Sequence, residues 1–173
     1  MPSTFVLIAS RSIETPTTTF TFNSIPQTYT DLRLIWSARG PDNTSYTRIS
    51  YNGINSMPGR VMYSETSGNT KNSFTQTNQQ PITGQNYPTN ITDAFANNEL
   101  YLLDYTNSSA FKAGLHNGVT GSYNNSGLLS WCNYLHNTTT AAINSITFTS
   151  GGAGNTGAYL IGSTFQVYGI KNS

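Results

Sequence analysis

Few residues of this sequence have side chains that could do chemistry, and they are spread along the chain. The carboxylates are Glu14, Asp31, Asp42, Glu65, Asp93, Glu99 and Asp104. A glycoside hydrolase needs two carboxyl groups that face each other across a sugar, and no spacing here indicates such a pair. Asp31 and Asp104 lie at ends of predicted strands, where a carboxylate ordinarily caps a turn. We therefore interpret both as structural.

The histidines and the cysteine give no stronger signal. His116 and His136 lie in or at the end of predicted strands, and no H-x-H or H-E-x-x-H motif is present. Cys132 alternates with aromatic residues, which predicts a buried structural thiol. A Ser-His-Asp triad remains open because triads are recognised by geometry, but the G-x-S-x-G motif is missing. The sequence therefore predicts no enzyme, no cofactor and no metal site.

The composition excludes several classes of protein. Only 9% of the 173 residues are charged and the net charge is +1, so the chain offers no basic field for nucleic acid. Thr, Ser, Asn and Gln supply 72 residues instead. No apolar run reaches the roughly 18–20 residues of a membrane span. The N-terminus has no basic region before its short apolar run, so no signal peptide is expected. A single cysteine excludes a disulfide framework.

The elements that must position these residues are predicted to be strands. Thr and Tyr suit a pleated, half-buried surface, and Asn, Gly, Ser and Pro supply turns. The clearest strand is 31–39, where an apolar face containing Trp36 alternates with a face that begins at Arg33 and ends at Arg39. Other strands are predicted at 4–10, 17–23, 46–51, 60–65, 99–104, 113–123, 128–136, 142–149 and 163–170. Nine or ten short strands predict an all-β, antiparallel β-sandwich that is jelly-roll-like.

The chain is predicted to form a single β-sandwich domain over residues 1–173, with a long polar excursion at about 67–92. This excursion is rich in Asn, Gln, Ser and Thr, and only one weak strand, around Phe74, is expected within it. A loop of this length in a compact domain is usually functional or partly disordered.

Two segments of the sequence resemble a known group of proteins. The segment 20–39 contains F-x-x-I-P-Q-T-Y-T-D-L and ends in S-A-R, and 162–170 reads G-S-x-F-x-x-Y-G-I. In both, the chain resembles small virion structural proteins of tailed bacteriophages, which are common in aquatic and cyanobacterial phages. Weaker similarity runs through 99–105 and 141–149, so the resemblance spans most of the chain except 67–92. The motif residues are Ile25, Pro26, Tyr29, Asp31, Leu32, Phe165, Tyr168 and Gly169.

The residues of these motifs also have a physical interpretation of their own. Pro26 favours an extended Ile25 and a sharp bend. Side-chain to backbone hydrogen bonds from Tyr29 and Asp31 can lock that bend. In the second motif Phe165 opens an alternating strand at the end of the chain that can close a sheet.

The resemblance implies a virion protein without catalysis, assembled in the bacterial host cytoplasm. The first hypothesis is a capsid decoration (cement) protein, a homotrimer that binds the major capsid protein or other virion proteins on the outer head surface and stabilises the shell. No nucleic-acid or membrane partner is expected. The alternative is a tail-fibre, tail-tip or baseplate protein that contacts the host surface, and a third possibility is a carbohydrate-binding module.

Six side chains are candidate interface residues under these hypotheses. The arginines are candidates for pairing with a carboxylate of a neighbouring chain, and the aromatic residues are candidates for stacking on sugar rings. The six residues are Arg33, Arg39, Tyr63, Tyr87, Trp131 and Tyr134.

Overall fold

The fold is all-β. The computed structural model describes residues 4–41, 46–55, 59–65, 71–76, 83–84, 95–121, 127–136, 138–151 and 157–171, and no helix occurs among them. The strands are β1 (Thr4–Ser12), β2 (Thr19–Phe22), β3 (Asp31–Ala38), β4 (Tyr46–Tyr51), β5 (Gly59–Glu65), β6 (Lys71–Gln76), β7 (Thr83–Gly84), β8 (Ala96–Leu102), β9 (Lys112–Gly121), β10 (Gly127–His136), β11 (Ile146–Gly151) and β12 (Thr164–Lys171).

The strands form two antiparallel sheets that pack as a sandwich. The large sheet has the order β1-β12-β3-β8-β9-β10-β5-β6, and the small sheet has the order β2-β11-β4-β7. An irregularity in β1 shifts its register between Leu7 and Ala9. Because side chains alternate along a strand, this shift lets apolar residues before it face outward while Ala9 packs against the core.

Aromatic side chains from both sheets fill the space between them. Phe20 and Phe148 of the small sheet contact Phe165 of the large sheet, with ring centroids 4.8 and 5.0 Å apart. Trp36 contacts Phe148 at 5.7 Å. Edge-to-face rings of this kind combine a large buried area with favourable quadrupole geometry. The apolar face predicted for β3 is this inward face, since Leu34 and Trp36 are buried.

The predicted β-sandwich is confirmed, with more strands than the nine or ten expected. The segment 67–92 supplies two strands, β6 beside β5 and β7 beside β4. The strand expected near Phe74 is β6, whereas β7 has only two residues and no pattern that could predict it. The C-terminal strand β12 lies between β1 and β3, so it is an interior strand of the sheet.

Candidate functional site

The two motif segments meet in the folded chain. The ring of Tyr29 lies so close to the backbone of Gly169 that a β-carbon at this position would overlap the ring. Next to this contact, the Thr30 amide donates a hydrogen bond to the Ile170 carbonyl at 2.8 Å. The motifs therefore share one structural role, which is to join the entry of β3 to the end of β12.

Asp31 joins β3 to a more distant part of the chain than the sequence predicted. Its Oδ1 accepts a hydrogen bond from the backbone N–H of Asp104 at 2.7 Å, and its Oδ2 accepts one from the Tyr101 hydroxyl at 2.8 Å. These two bonds join the start of β3 to the end of β8, which the sequence did not predict. Asp104 has a φ of 47°, so the Asp31 carboxylate holds a residue in the left-handed region.

The other motif residues are mostly core residues. Ile25, Leu32 and Phe165 are buried, and the Pro26 carbonyl accepts a hydrogen bond from the hydroxyl of Tyr105. These contacts favour a structural role for the first motif.

A substitution at Gly169 tests the junction between the motifs. We expect Gly169→Ala to lower the free energy of unfolding by about 2 kcal/mol, because overpacking a filled site typically costs roughly 1–3 kcal/mol. Urea unfolding of the variant measures this loss. In a Tyr29→Ala background the same change should cost much less, because the ring that the methyl group meets is gone. An equal cost in both backgrounds would show that the ring contact is not its cause.

The outward face of the large sheet, hereafter the outer face, is unusually apolar. Its exposed apolar side chains are Phe5 and Leu7 on β1, Met62 on β5, and Leu115 and Val119 on β9. Leu115 is 57% exposed and Val119 is 45% exposed. Several large apolar side chains exposed on one sheet face are a feature of interaction surfaces.

The strand β9 has its two faces reversed relative to the usual arrangement. It turns Leu115 and Val119 outward while it buries Lys112, Gly114 and His116 between the sheets. A strand at the surface of an isolated domain would ordinarily bury its aliphatic side chains and expose its lysine. This reversal indicates that the outward side of β9 is covered by a partner.

An ion pair occupies the middle of the outer face. Arg33 Nε lies 2.5 Å from Glu99 Oε1, and Arg33 Nη2 donates to Glu99 Oε2 at 2.8 Å. The Arg33 guanidinium also lies 5.3 Å from the ring centroid of Phe5, which stacks on Tyr168 at 4.4 Å. Because the two charges are paired, the centre of the face is electrostatically neutral.

A shallow groove of about 390 Å³ runs beside this ion pair. Its lining residues are Arg33, Ile35, Asn97, Asn98, Glu99, Asn117, Gly118 and Val119. The groove combines an apolar wall with amide groups, which suits binding of another surface. Within the described ranges, no group of three or more His, Cys, Asp and Glu side chains could hold a metal ion.

The outer face of the small sheet is polar by comparison. The hydroxyl oxygens of Thr19 and Thr149 lie 3.0 Å apart, and those of Thr21 and Thr147 lie 2.8 Å apart. These cross-strand pairs satisfy one another next to solvent. The apolar exposure on sheet surfaces is therefore concentrated on the large sheet.

Two predicted interface residues lie on or near the outer face. Arg33 pairs with Glu99 of its own chain, and its pairing with a carboxylate of a neighbouring chain stays a prediction. Arg39 lies with its guanidinium 5.2 Å from the ring centroid of Phe95, and its backbone N–H donates to the Ser163 hydroxyl at 3.1 Å.

The aromatic candidates cannot be placed in the same way. Tyr87 lies outside the described residues. Tyr63, Trp131 and Tyr134 lie on β5 and β10, and their side chains, like that of Cys132, are outside the described part. Sequence reasoning missed Leu115 and Val119, although their period-two spacing was visible, because the pattern does not say which face is inward.

A buried polar group lies beneath the outer face. His116 Nε2 lies 3.2 Å from Asn98 Oδ1, and the imidazole stacks on Trp36 with centroids 5.7 Å apart. Burial lowers the pKa of His116 to about 3, because an imidazolium would lose its hydration there.

Comparisons of the chain with protein-family models, with curated proteins and with solved structures found no match. Among the described residues there is also no helix long and apolar enough to cross a membrane.

Proposed function

We propose that this chain is a bacteriophage virion structural protein, namely a capsid decoration (cement) protein that binds the outer surface of the head and stabilises the shell. The observation that carries the proposal is the reversed strand β9, which exposes Leu115 and Val119 on a broad sheet face. Covering this face with a protein partner removes apolar surface from water, at roughly 25 cal/mol per Å².

The dimensions of the outer face support a protein partner. Eight strands at a spacing of about 4.8 Å span roughly 34 Å, and seven residues of strand extend about 23 Å. The area of a face with this width and length is close to the roughly 800 Å² that each partner contributes to a standard protein–protein interface.

The charge of the outer face supports a partner bound mainly through shape and apolar contact. Arg33 and Glu99 neutralise each other within the chain, so the face neither attracts nor repels a charged surface strongly. Salt screens interactions between charges, so it affects apolar contacts little. Binding to the head should therefore persist at high ionic strength.

The strand order supports the jelly-roll architecture that we propose for the sandwich. The chain alternates between the sheets so that β1-β12-β3-β8 faces β2-β11-β4-β7, and the remaining strands extend the first sheet. Double-sheet jelly rolls occur in viral capsid proteins and lectins. A fold alone does not decide function, and the support for a decoration protein comes from the outer face of the large sheet.

Immunogold electron microscopy of purified virions tests the location of the protein. We expect gold particles scattered over the head. Labelling confined to the tail or its tip would overturn the decoration proposal and favour the tail-fibre, tail-tip or baseplate alternative. The homotrimer that we propose for the free protein is checked by light scattering coupled to size-exclusion chromatography.

Substitutions on β9 test the docking face. We expect Leu115→Asp and Val119→Asp each to weaken binding to heads that lack the protein by at least about tenfold, because one well-buried apolar contact is worth about 1.4 kcal/mol or more. Cosedimentation of the purified protein with such heads measures the affinity.

Ile161 provides the matched control for this experiment. It is 56% exposed in the turn before β12, outside the strands of the outer face, so Ile161→Asp should leave head binding unchanged. Circular dichroism and melting curves establish that all three variants are folded. Equal affinities for the three variants would overturn the assignment of the docking face.

A further inference from the structure

The first strand of the large sheet has an edge that is open to pairing. In the part of the chain that the structure describes, β1 pairs with β12 on one side and with no strand on the other. An edge strand presents unpaired N–H and C=O groups to any extended chain that meets it, and native proteins protect such edges with short strands, lysines, prolines or bulges. Between Thr4 and Ser10, β1 contains no charged residue and no proline.

Among the described strands, the other three sheet edges are better protected. β6, at the far edge of the large sheet, begins with Lys71. The edges of the small sheet are β2, with four residues, and β7, with two. β1 has nine residues. Its protective features are the register irregularity after Leu7 and the charge of Arg11, and both lie beyond its first half. The first half of β1, Thr4–Leu7, is therefore an unprotected edge.

Apolar side chains line both sides of this open edge. Phe5 and Leu7 point to the outer face and are 42% and 49% exposed. Val6 and Ile8 alternate with them on the inward side and are only half-buried. Cross-strand neighbours in a sheet lie about 4.5–5.5 Å apart, so a strand added here would contact apolar side chains on both of its faces. The segment that fits this edge is extended, uncharged and apolar.

Under the function proposed above, on which this inference rests, such a segment belongs to a protein of the head. Pairing of β1 with its own copy requires a two-fold axis, which the proposed homotrimer lacks. The open edge also forms the rim of the outer face, so one partner can cover the face and pair with its edge. We propose that Thr4–Leu7 is a β-augmentation site, at which an extended, uncharged segment of a head protein adds a ninth strand to the large sheet.

Hydrogen exchange of the wild-type protein, free and bound to heads that lack it, tests the added strand. We expect the backbone amides of β1 to exchange at least about tenfold more slowly in the bound protein, because main-chain hydrogen bonds to the added strand protect them. Amides of β2, the edge of the small sheet, should exchange at the same rate in both states. Unchanged exchange in β1 together with slower exchange in β9 would overturn the added strand and leave the decoration function standing.

Two other results of this experiment would also overturn the proposal. A protein that does not cosediment with heads would remove the proposed function, and the added head segment with it. Exchange in β1 that is slow in the free protein and becomes faster on dilution would show that a second copy of the chain already occupies the edge.

Two lysine substitutions on the same strand locate the site. Leu7→Lys places a charge in the open half of β1, whereas Ser10→Lys places the same charge on an exposed residue of the second half. We expect Leu7→Lys to weaken binding to heads by at least about tenfold, because an unpaired charge would be buried under the added strand. Ser10→Lys should leave binding unchanged. Circular dichroism establishes that both variants are folded, and equal affinities for the two would overturn the assignment to Thr4–Leu7.

Discussion

Acidification from about pH 7.5 to about pH 5 is expected to lower the free energy of unfolding of this protein by about 2 kcal/mol through His116 alone. The pKa of His116 falls from 6.5 to about 3 on folding, because the imidazole is buried between the sheets. Between these values the unfolded chain binds a proton that the folded chain does not. Stability is therefore greatest above about pH 6.5 and falls as the pH falls.

The loss of unfolding free energy through His116 grows as the pH falls toward the pKa of His116 in the folded protein. A shift of about 3.5 pH units corresponds to roughly 5 kcal/mol when it is fully expressed. The window from about pH 6.5 to about pH 5 is the most informative, since unperturbed carboxylates titrate mainly below it. Urea unfolding at several pH values in this window measures the slope.

His116→Gln is the matched variant for the acid effect. It removes the titrating group. The free energy of unfolding of the variant should therefore not change with pH between about pH 6.5 and about pH 5, whatever its value at neutral pH. A proton NMR titration of the wild-type imidazole provides a measurement without substitution, and its signal should not titrate in this window. A slope that survives in the variant would assign the acid sensitivity to other groups.

The sequence predicted the strands well where alternation and burial agree. In β3 buried residues alternate with half-buried ones from Leu32 to Ala38. β4 ends at the turn formed by Asn52 and Gly53, whose φ values of 51° and 75° require the residues found there. The predicted limits of β4 are those of the structure. Local pattern and tertiary packing favour the same conformation in these segments.

The prediction failed where distant residues decide the environment. β9 alternates clearly, but its inward face is chosen by contacts with Trp36 and Asn98 and by the carbonyl groups that surround Lys112. Trp36, Asn98 and the Thr140 carbonyl among these partners are all distant from β9 residues in the sequence. The same holds for Asp31, whose partners are two residues at the end of β8. A single sequence shows the period of a strand, whereas the face it buries depends on the opposite sheet and the adjoining loops.

Lys112→Met is expected to lower the free energy of unfolding by at least about 3 kcal/mol, since each buried acceptor left unpaired costs roughly 1–3 kcal/mol. Lys112 is 1% exposed, and its Nζ donates to the backbone carbonyl oxygens of Asn107, of Ala110 at 2.7 Å and of Thr140 at 2.9 Å. These bonds hold the β8–β9 connection against the segment before β11. Methionine fills a similar volume but donates no hydrogen bond.

Two opposing influences act on the charged form of Lys112. Burial lowers the pKa of the ammonium group, and the carboxylate of Asp104 partly offsets this effect. The ammonium is thus retained by its three carbonyl acceptors together with Asp104, and no apolar side chain can replace it. The same loop carries the backbone N–H that Asp104 donates to Asp31, so loss of Lys112 should also loosen the junction at the start of β3.

Lys171→Met separates this effect from a general effect of losing one positive charge. Lys171 is exposed at the end of β12, so its replacement should change stability little. We expect the Lys112 variant to melt about 6–12 °C below the Lys171 variant, at roughly 2–4 °C per kcal/mol for a chain of this size. A difference of less than about 2 °C would mean that water satisfies the three carbonyl groups once the ammonium is gone, and that Lys112 is not what holds the connection.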